Sequence, residues 1–372
     1  MIRNVIIKVT HACNLNCRYC YVRRTRELRS NDRVMSLDTL EALIKKTAAY
    51  IRSTAELKRF VYYWHGGEPL LAGPSFYRAI EALQQRYLPQ GIEVVNTIQT
   101  NGTLLDEEWI ALLEALDYGL CLSLDGPQDI HDARRVDKDG QGTHNRVINA
   151  LSLLKKSKIG LSVLAVITPE SLGRGHEVYS YLRSLGVTWM DFMYPFCNRI
   201  DNTMDQSIEP RRWGEFLSQV FDSWIDEGDP GIYVRILHDL CMLLLGGRTS
   251  MCASSVDCSY VITIDPVGRV FICDDLLSYS DSMLGNVHND TLADIEQNPK
   301  LRRLASQRTL IGEDCRQCDY FDFCKGGCTL FRVRSPDDFS GRHYFCDAQR
   351  LLIEHVHSRL REMSREGNRR LD

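Results

Sequence analysis

Three cysteines near the N-terminus, Cys13, Cys17 and Cys20, follow the spacing CxxxCxxC. Three thiolates can hold a four-iron cluster while leaving one iron without a protein ligand, and an open iron can bind and reduce a cofactor rather than only pass electrons along. Zinc is the competing occupant. A structural zinc takes four ligands and prefers paired Cys or Cys/His spacings, so the triplet taken alone leaves both readings open. Eight more cysteines gather toward the C-terminus: Cys252, Cys258, Cys273, Cys315, Cys318, Cys324, Cys328 and Cys346. Eight thiolates make two four-ligand sites, which on spacing alone suit two iron-sulfur clusters or two zinc ions. Fully ligated clusters have no open iron and would accept or conduct electrons. Of the three cysteines left over, Cys121 and Cys241 sit in apolar runs and read as buried filler, whereas Cys197 reads as loop filler or as a residue facing the site.

Polar residues stand at the ends of strand-like runs. Trp64-His65-Gly66-Gly67-Glu68-Pro69 ends the second, Gln99-Thr100-Asn101-Gly102-Thr103 the third and Ser123-Leu124-Asp125-Gly126-Pro127 the fourth. Gly66 and Gly67 permit a close approach of backbone to a ligand, and Glu68 can fix the turn or bind an ammonium group; a plain strand-ending turn is the alternative.

The elements that position these residues follow from periodicity. From residue 2 to about 194 short apolar runs alternate with amphipathic helical stretches, the pattern of repeated βα units and a parallel sheet. Six strands are expected, over 5–9, 59–65, 93–99, 119–124, 160–168 and 188–194. The helices between them fall at 36–52, with Ser36 as N-cap, 74–87, 106–116, 143–156 and 176–185. Loops leaving the C-terminal ends of parallel strands converge on one mouth, which is where the polar residues lie. The spans 211–227 and 235–245 read as bridging helices. From Cys252 to Cys346 the chain is rich in Cys, Asp and Gly, with one hairpin over 260–264 and 269–272; such a region is expected to build little apolar core and to depend on metal to fold. A final helix is expected from about 344 to 363.

These motifs carry a family resemblance. The segment His11-Ala12-Cys13-Asn14-Leu15-Asn16-Cys17-Arg18-Tyr19-Cys20 resembles the cluster loop of radical S-adenosylmethionine (radical SAM) enzymes, and Gly66-Gly67-Glu68-Pro69 resembles their GGEP motif. The later strand ends, with the stretch His131 to Arg135, are similar to segments of anaerobic sulfatase-maturing enzymes. The run Cys315-x2-Cys318-x5-Cys324-x3-Cys328-x17-Cys346 resembles the SPASM extension of peptide-modifying radical SAM proteins. The resemblance implies an α/β fold, a partial (β/α)6 parallel barrel of the radical SAM type with a C-terminal Cys-rich SPASM domain. It divides the chain into a barrel (1–210), bridging helices (211–250) and an auxiliary-cluster domain with its C-terminal helix (251–372). It also implies three 4Fe-4S clusters and S-adenosyl-L-methionine as cofactors. Cys13, Cys17 and Cys20 would hold the cofactor-binding cluster. One auxiliary cluster would take Cys252, Cys258, Cys273 and Cys328, the other Cys315, Cys318, Cys324 and Cys346. Gly66, Gly67 and Glu68 would serve the methionine amine, Ser123 and Arg135 its carboxylate, with Arg134 as the neighbour that a one-residue slip would substitute, and Tyr19 with the backbone of Tyr21 the adenine, shielding of the cluster from water being the structural alternative for Tyr19. Asp274 matches the position of a general base, with a turn cap or a supporting hydrogen bond as the structural alternative.

The chain departs from sulfatase-maturing enzymes at places that bear on substrate. Those usually show Gln before GGEP, an aromatic pair after the third cluster Cys, and Cys-Pro-Lys late in the extension; here stand His65, Tyr21-Val22 and Cys328-Thr329-Leu330. The expected reaction is therefore the broader one: hydrogen abstraction from a side chain of a ribosomally made peptide and its oxidation, closing an intramolecular cross-link. The alternatives are conversion of Cys or Ser to formylglycine by an anaerobic sulfatase maturase, and a non-enzymatic metal-binding protein. Partners would be the precursor peptide or protein substrate and a one-electron reductant such as flavodoxin or ferredoxin; a barrel beginning at residue 2 leaves no place for a fused leader-recognition domain, so recognition would use the barrel mouth, the bridging helices near Arg211 to Leu245, or a separate leader-recognition protein. The 372 residues carry 45 basic and 49 acidic side chains, a net charge of −4 that favours neither nucleic acid nor an anionic membrane. No apolar stretch approaches the roughly 20 residues of a membrane span, and no signal peptide precedes the first strand. Fourteen cysteines without such a signal point to redox or metal work in the cytoplasm.

Overall fold

The computed structural model describes residues 1–24, 33–194, 208–249, 251–252, 258–277, 282–307, 309–332 and 340–369; Cys197 lies outside them. Ten strands are present among these residues: β1 (Asn4–Thr10), β2 (Arg59–Gly66), β3 (Glu93–Thr100), β4 (Gly119–Ser123), β5 (Leu161–Val166), β6 (Trp189–Met193), β7 (Tyr233–Val234), β8 (Val261–Ile264), β9 (Arg269–Phe271) and β10 (Met283–Asn286). The chain divides into two compact units. The first comprises 1–124, 131–162 and 258–305, the second 125–130, 163–257 and 306–372.

In the first unit the strand order is β10-β9-β8-β1-β2-β3-β4. The pairs β1–β2, β2–β3 and β3–β4 are parallel, with Ile7 opposite Trp64, Trp64 opposite Ile98 and Ile98 opposite Leu120. Four consecutive parallel strands end in the same direction, so the loops after Thr10, Gly66, Thr100 and Ser123 meet at one edge. Val5, Ile7, Phe60, Tyr62, Trp64 and Ile98, alternate residues in register on one face of the sheet, are buried. The helix Leu37–Ser53 starts where the sequence indicates, with the Ser36 hydroxyl accepting from the Thr39 amide at 3.1 Å.

The Cys-rich hairpin differs from expectation. Strand β8 pairs in parallel with β1, placing Val261 opposite Asn4 and Ile264 opposite Ile7, and β9 and β10 extend the sheet antiparallel. Ile262, Ile264, Val270, Phe271, Val287, Leu292 and Ile295 are buried, so this stretch has an apolar core of its own. The low density of apolar residues concealed it because three short strands need only one inward side chain in two.

In the second unit β5 pairs in parallel with β6, and β6 with β7. The helix Pro210–Glu227 packs along the C-terminal helix Cys346–Arg369; a Cβ on Gly214 would meet the Ala348 carbonyl at 2.7 Å, so glycine sets this close approach. Among the described residues no helix is long and apolar enough to cross a membrane.

Candidate active site

The loop after β1 carries Cys13, Cys17 and Cys20, all half-buried. Its shape is held by backbone. The Leu15 amide donates to Cys13 Sγ at 3.4 Å, and the Asn16 and Arg18 amides donate to the carbonyls of Val136 and Arg134 at 2.7 and 2.9 Å. Those last bonds tie the cysteine loop to the segment bearing Arg135. Cys20 and Tyr21 pack against Val22, Phe271 and Leu277, which anchors the end of the loop on β9. Burial pushes the Cys13 thiol up to about 12, the more so with Glu68, Cys17 and Cys20 nearby. A thiol in such a place ionises when a metal replaces its proton.

The GGEP turn is a spacer against this loop. A Cβ on Gly66 would lie 2.2 Å from the Thr10 carbonyl oxygen, and one on Gly67 would lie 2.1 Å from that of Ala12. Gly66 also adopts φ +142°, a region glycine alone enters readily. The Gly67 and Glu68 amides donate to the carbonyls of Thr10 and Ala12, both at 2.8 Å. The close approach read from the sequence is thus made by the chain's own backbone. Glu68 is fully buried. Its Oε1 accepts from the Leu70 amide (3.1 Å) and the Thr100 hydroxyl (2.8 Å), and its Oε2 from the Asn101 amide (2.8 Å). Burial raises this carboxyl to about 7 against the pull of those bonds. Glu68 staples the end of β2 to the end of β3.

Asn101, which sequence reasoning passed over as part of a strand end, reaches back to the loop. Its Nδ2 donates to Asn14 Oδ1 at 2.9 Å and to Cys13 Sγ at 3.8 Å, while Asn14 Nδ2 donates to the Thr103 hydroxyl at 2.8 Å. Ser123 accepts from Gln99 Nε2 at 3.0 Å. The Arg135 guanidinium lies over the Tyr19 ring, 5.4 Å from its centroid. Arg135 is fixed from behind as well, because its carbonyl accepts from the Thr143 hydroxyl at 3.0 Å and Thr143 contacts buried His131 at 3.2 Å. Ser123, Arg135, Tyr19, Gly66, Gly67 and the three cysteines all belong to the first unit.

A second polar group joins Asp274 to this loop. Asp274 follows Cys273, and its Oδ1 pairs with Lys8 Nζ at 2.6 Å while its Oδ2 accepts from the Tyr21 hydroxyl at 3.0 Å. Lys8 Nζ also donates to the Tyr21 hydroxyl at 2.6 Å and lies 3.2 Å from His65 Nδ1. The Gly66 amide donates to that same ring nitrogen at 2.6 Å. The Gly66 carbonyl also lies 3.2 Å from Nδ1, and the two donors there fit the neutral Nε2–H tautomer. Burial first and the Lys8 charge second bring His65 down to about 4, in keeping with that tautomer. For Asp274 burial acts upward, yet the Lys8 ammonium and the bonds from Lys8 and Tyr21 outweigh it and hold the carboxyl below its ordinary range. Asp275 goes the other way, to about 7, through burial and the neighbouring Asp274 charge. Neither Lys8 nor the Tyr21 side chain stood out in the sequence. Lys8 looked like one polar letter in an apolar strand.

In the second unit Cys315, Cys318, Cys324 and Cys346 line one cavity of about 230 Å³, together with Arg342, His343 and Arg350. Four thiols lining one cavity are the donor set a four-iron cluster needs, and the three thiols of the β1 loop are the donor set of a cluster with one open iron. The other predicted set is shared out, Cys258 and Cys273 in the first unit and Cys252 and Cys328 in the second. Of the remaining cysteines, Cys241 is buried and Cys121 only half-buried.

Comparison with known proteins agrees with this arrangement. Residues 7–182 match the model of the radical SAM superfamily, and 252–319 match an iron-sulfur cluster-binding domain, SPASM. The chain belongs to the radical SAM superfamily and is a radical SAM/SPASM enzyme with 4Fe-4S clusters and S-adenosylmethionine as its cofactors. It is 27% identical to a cysteine-type anaerobic sulfatase-maturating enzyme of Clostridium perfringens over 96% of this chain and 97% of that one. It is 28% identical to a serine-type anaerobic sulfatase-maturating enzyme of Bacteroides thetaiotaomicron over 95% and 89%. A solved structure, native anSMEcpe with bound AdoMet and Cp18Cys peptide, superposes with a TM-score of 0.88 at 26% identity, covering 98% of this chain and 99% of that one. The non-enzymatic alternative is thereby set aside.

Proposed function

We propose that this chain is an anaerobic sulfatase maturase, oxidising a Cys or Ser side chain of a peptide or protein to formylglycine. The observation that carries the reading is end-to-end similarity to maturases of both the Cys and the Ser type. It displaces the cross-linking reaction favoured by the sequence motifs. His65 and the missing Cys-Pro-Lys are departures within this reaction class, and a separate leader-recognition protein drops out with the cross-link. We keep the roles of 1–210, 211–250 and 251–372 as barrel, bridge and auxiliary-cluster domain, a cytoplasmic location, and a flavodoxin or ferredoxin as reductant.

When bound, the clusters and the sulfonium cofactor supply a carbon radical that takes a hydrogen atom, and an acceptor for the one electron the substrate then gives up. The chain's own residues do the rest. Cys13, Cys17 and Cys20 hold the cofactor-binding cluster. Ser123 and Arg135 take the methionine carboxylate, Arg135 as a fixed guanidinium steadied by Tyr19. Gly66, Gly67 and Glu68 shape the turn that meets the methionine amine, and the Tyr21 backbone meets adenine. Asp274 accepts the proton of the substrate's thiol or hydroxyl. Its carboxyl is a weak base, and a weak base suffices for a substrate radical losing an electron, since that species is a strong acid. A Ser substrate becomes the aldehyde directly. A Cys substrate becomes a thioaldehyde, which water converts to the aldehyde with release of hydrogen sulfide.

The test is anaerobic incubation of the iron-loaded protein with S-adenosylmethionine, reductant and sulfatase-derived peptides carrying Cys or Ser at the target position. The expected result is an aldehyde at that one residue by mass spectrometry. Loss of two hydrogens shared between two side chains would restore the cross-linking reading.

A further inference from the structure

Lys8 sits within β1 with no exposed surface, an expensive place for an ammonium group. Three partners from three parts of the first unit surround it: Asp274 Oδ1 at 2.6 Å, the Tyr21 hydroxyl at 2.6 Å and His65 Nδ1 at 3.2 Å. Two of these partners directly follow cysteines of different predicted sites, Tyr21 after Cys20 and Asp274 after Cys273. A buried ion pair of this kind adds little stability over apolar residues of equal volume, so its presence calls for another reason.

We propose that Lys8 is a positioning residue for the oxidation step, its ammonium anchoring the Asp274 carboxylate by Oδ1 so that the carboxylate is presented to the proton leaving the substrate. This rests on the function proposed above. Lys8 gives up no proton itself: the proton passes from the substrate's thiol or hydroxyl to Asp274, and an auxiliary iron-sulfur cluster, when bound and oxidised, would be the acceptor of the electron. Tyr21 holds the other oxygen at 3.0 Å, so the carboxylate is gripped on both sides. The Asp274 side chain keeps 19% of its surface open. Without Lys8 the carboxylate would hang from a single hydroxyl, and the oxidised substrate radical would lose its proton acceptor at the required place.

The test compares Lys8→Met, Asp274→Asn and the double variant, each iron-loaded, using the target peptide. Three quantities are read: aldehyde formed per 5'-deoxyadenosine, KM for the peptide, and the urea midpoint. Lys8→Met is expected to lower the aldehyde-to-5'-deoxyadenosine ratio roughly tenfold or more, with peptide KM changing less than about twofold. The double variant is expected to fall no further than Asp274→Asn alone, as for residues that act as one unit. Its urea midpoint should recover relative to Lys8→Met, which strands a buried carboxylate without its counter-charge. A wild-type ratio in Lys8→Met, or losses that multiply in the double variant, would overturn the proposal. If Lys8→Met fails to load iron, the double variant set against Asp274→Asn decides it by the same rule. Failure of the wild-type protein to form any aldehyde would instead refute the proposed function.

Discussion

Gly67 shows how a legible motif can carry an unexpected reason. The sequence suggested that glycine leaves room for a ligand, whereas the group it leaves room for is the Ala12 carbonyl, 2.1 Å from where a Cβ would be. Gly67→Ala must therefore push the cysteine loop away from the turn. The expected outcome is loss of about four of about twelve irons, with cofactor cleavage lost and the auxiliary-cluster signals kept, as measured by iron analysis and EPR. Retention of all iron with full cleavage would contradict this account of the turn. Glu68 is similar: its three acceptor bonds to Leu70, Thr100 and Asn101 make it a staple between strand ends, a role a single sequence cannot separate from ammonium binding. Lys8 was illegible for a different reason. A buried lysine is recognised by its partners, and Asp274 lies more than 250 positions away in the chain.

At the scale of elements, periodicity located the six strands and the helices between them within a residue or two over most of their ends. The helices Gln128–Arg134, Leu292–Gln297 and Pro299–Gln307 went unread because each is short or lies in a polar stretch. The larger miss was β8. Four residues, Val261–Ile264, gave no hint that they would pair in parallel with the N-terminal strand, since a parallel partner can come from anywhere in the chain. That pairing makes the hairpin part of the sheet. Ile264 is fully buried opposite Ile7, so Ile264→Ala should cost about 2–5 kcal/mol in urea unfolding of the iron-loaded protein. A hairpin held only by its cluster would show almost no change. The same pairing sets Asp274, three residues beyond β9, against Lys8 in β1.

For the whole molecule, cysteine spacing was the strongest signal, because ligand sets that must enclose a cluster leave a fixed count and interval in the chain. Substrate choice was the weakest. It depends on loops whose residue types are interchangeable between related oxidations, and the sequence departures at His65 and Cys328-Thr329-Leu330 pointed toward cross-linking where the end-to-end relatives point toward formylglycine.

The central claim is that a radical made at the Cys13-Cys17-Cys20 site takes a hydrogen atom from the β-carbon of the target residue. It is tested most directly with a peptide deuterated at that carbon, turned over anaerobically with unlabelled S-adenosylmethionine. The account predicts deuterium in 5'-deoxyadenosine together with an aldehyde that has lost one deuterium. Unlabelled 5'-deoxyadenosine accompanied by aldehyde, or labelled 5'-deoxyadenosine from a peptide deuterated only at another residue, would contradict it.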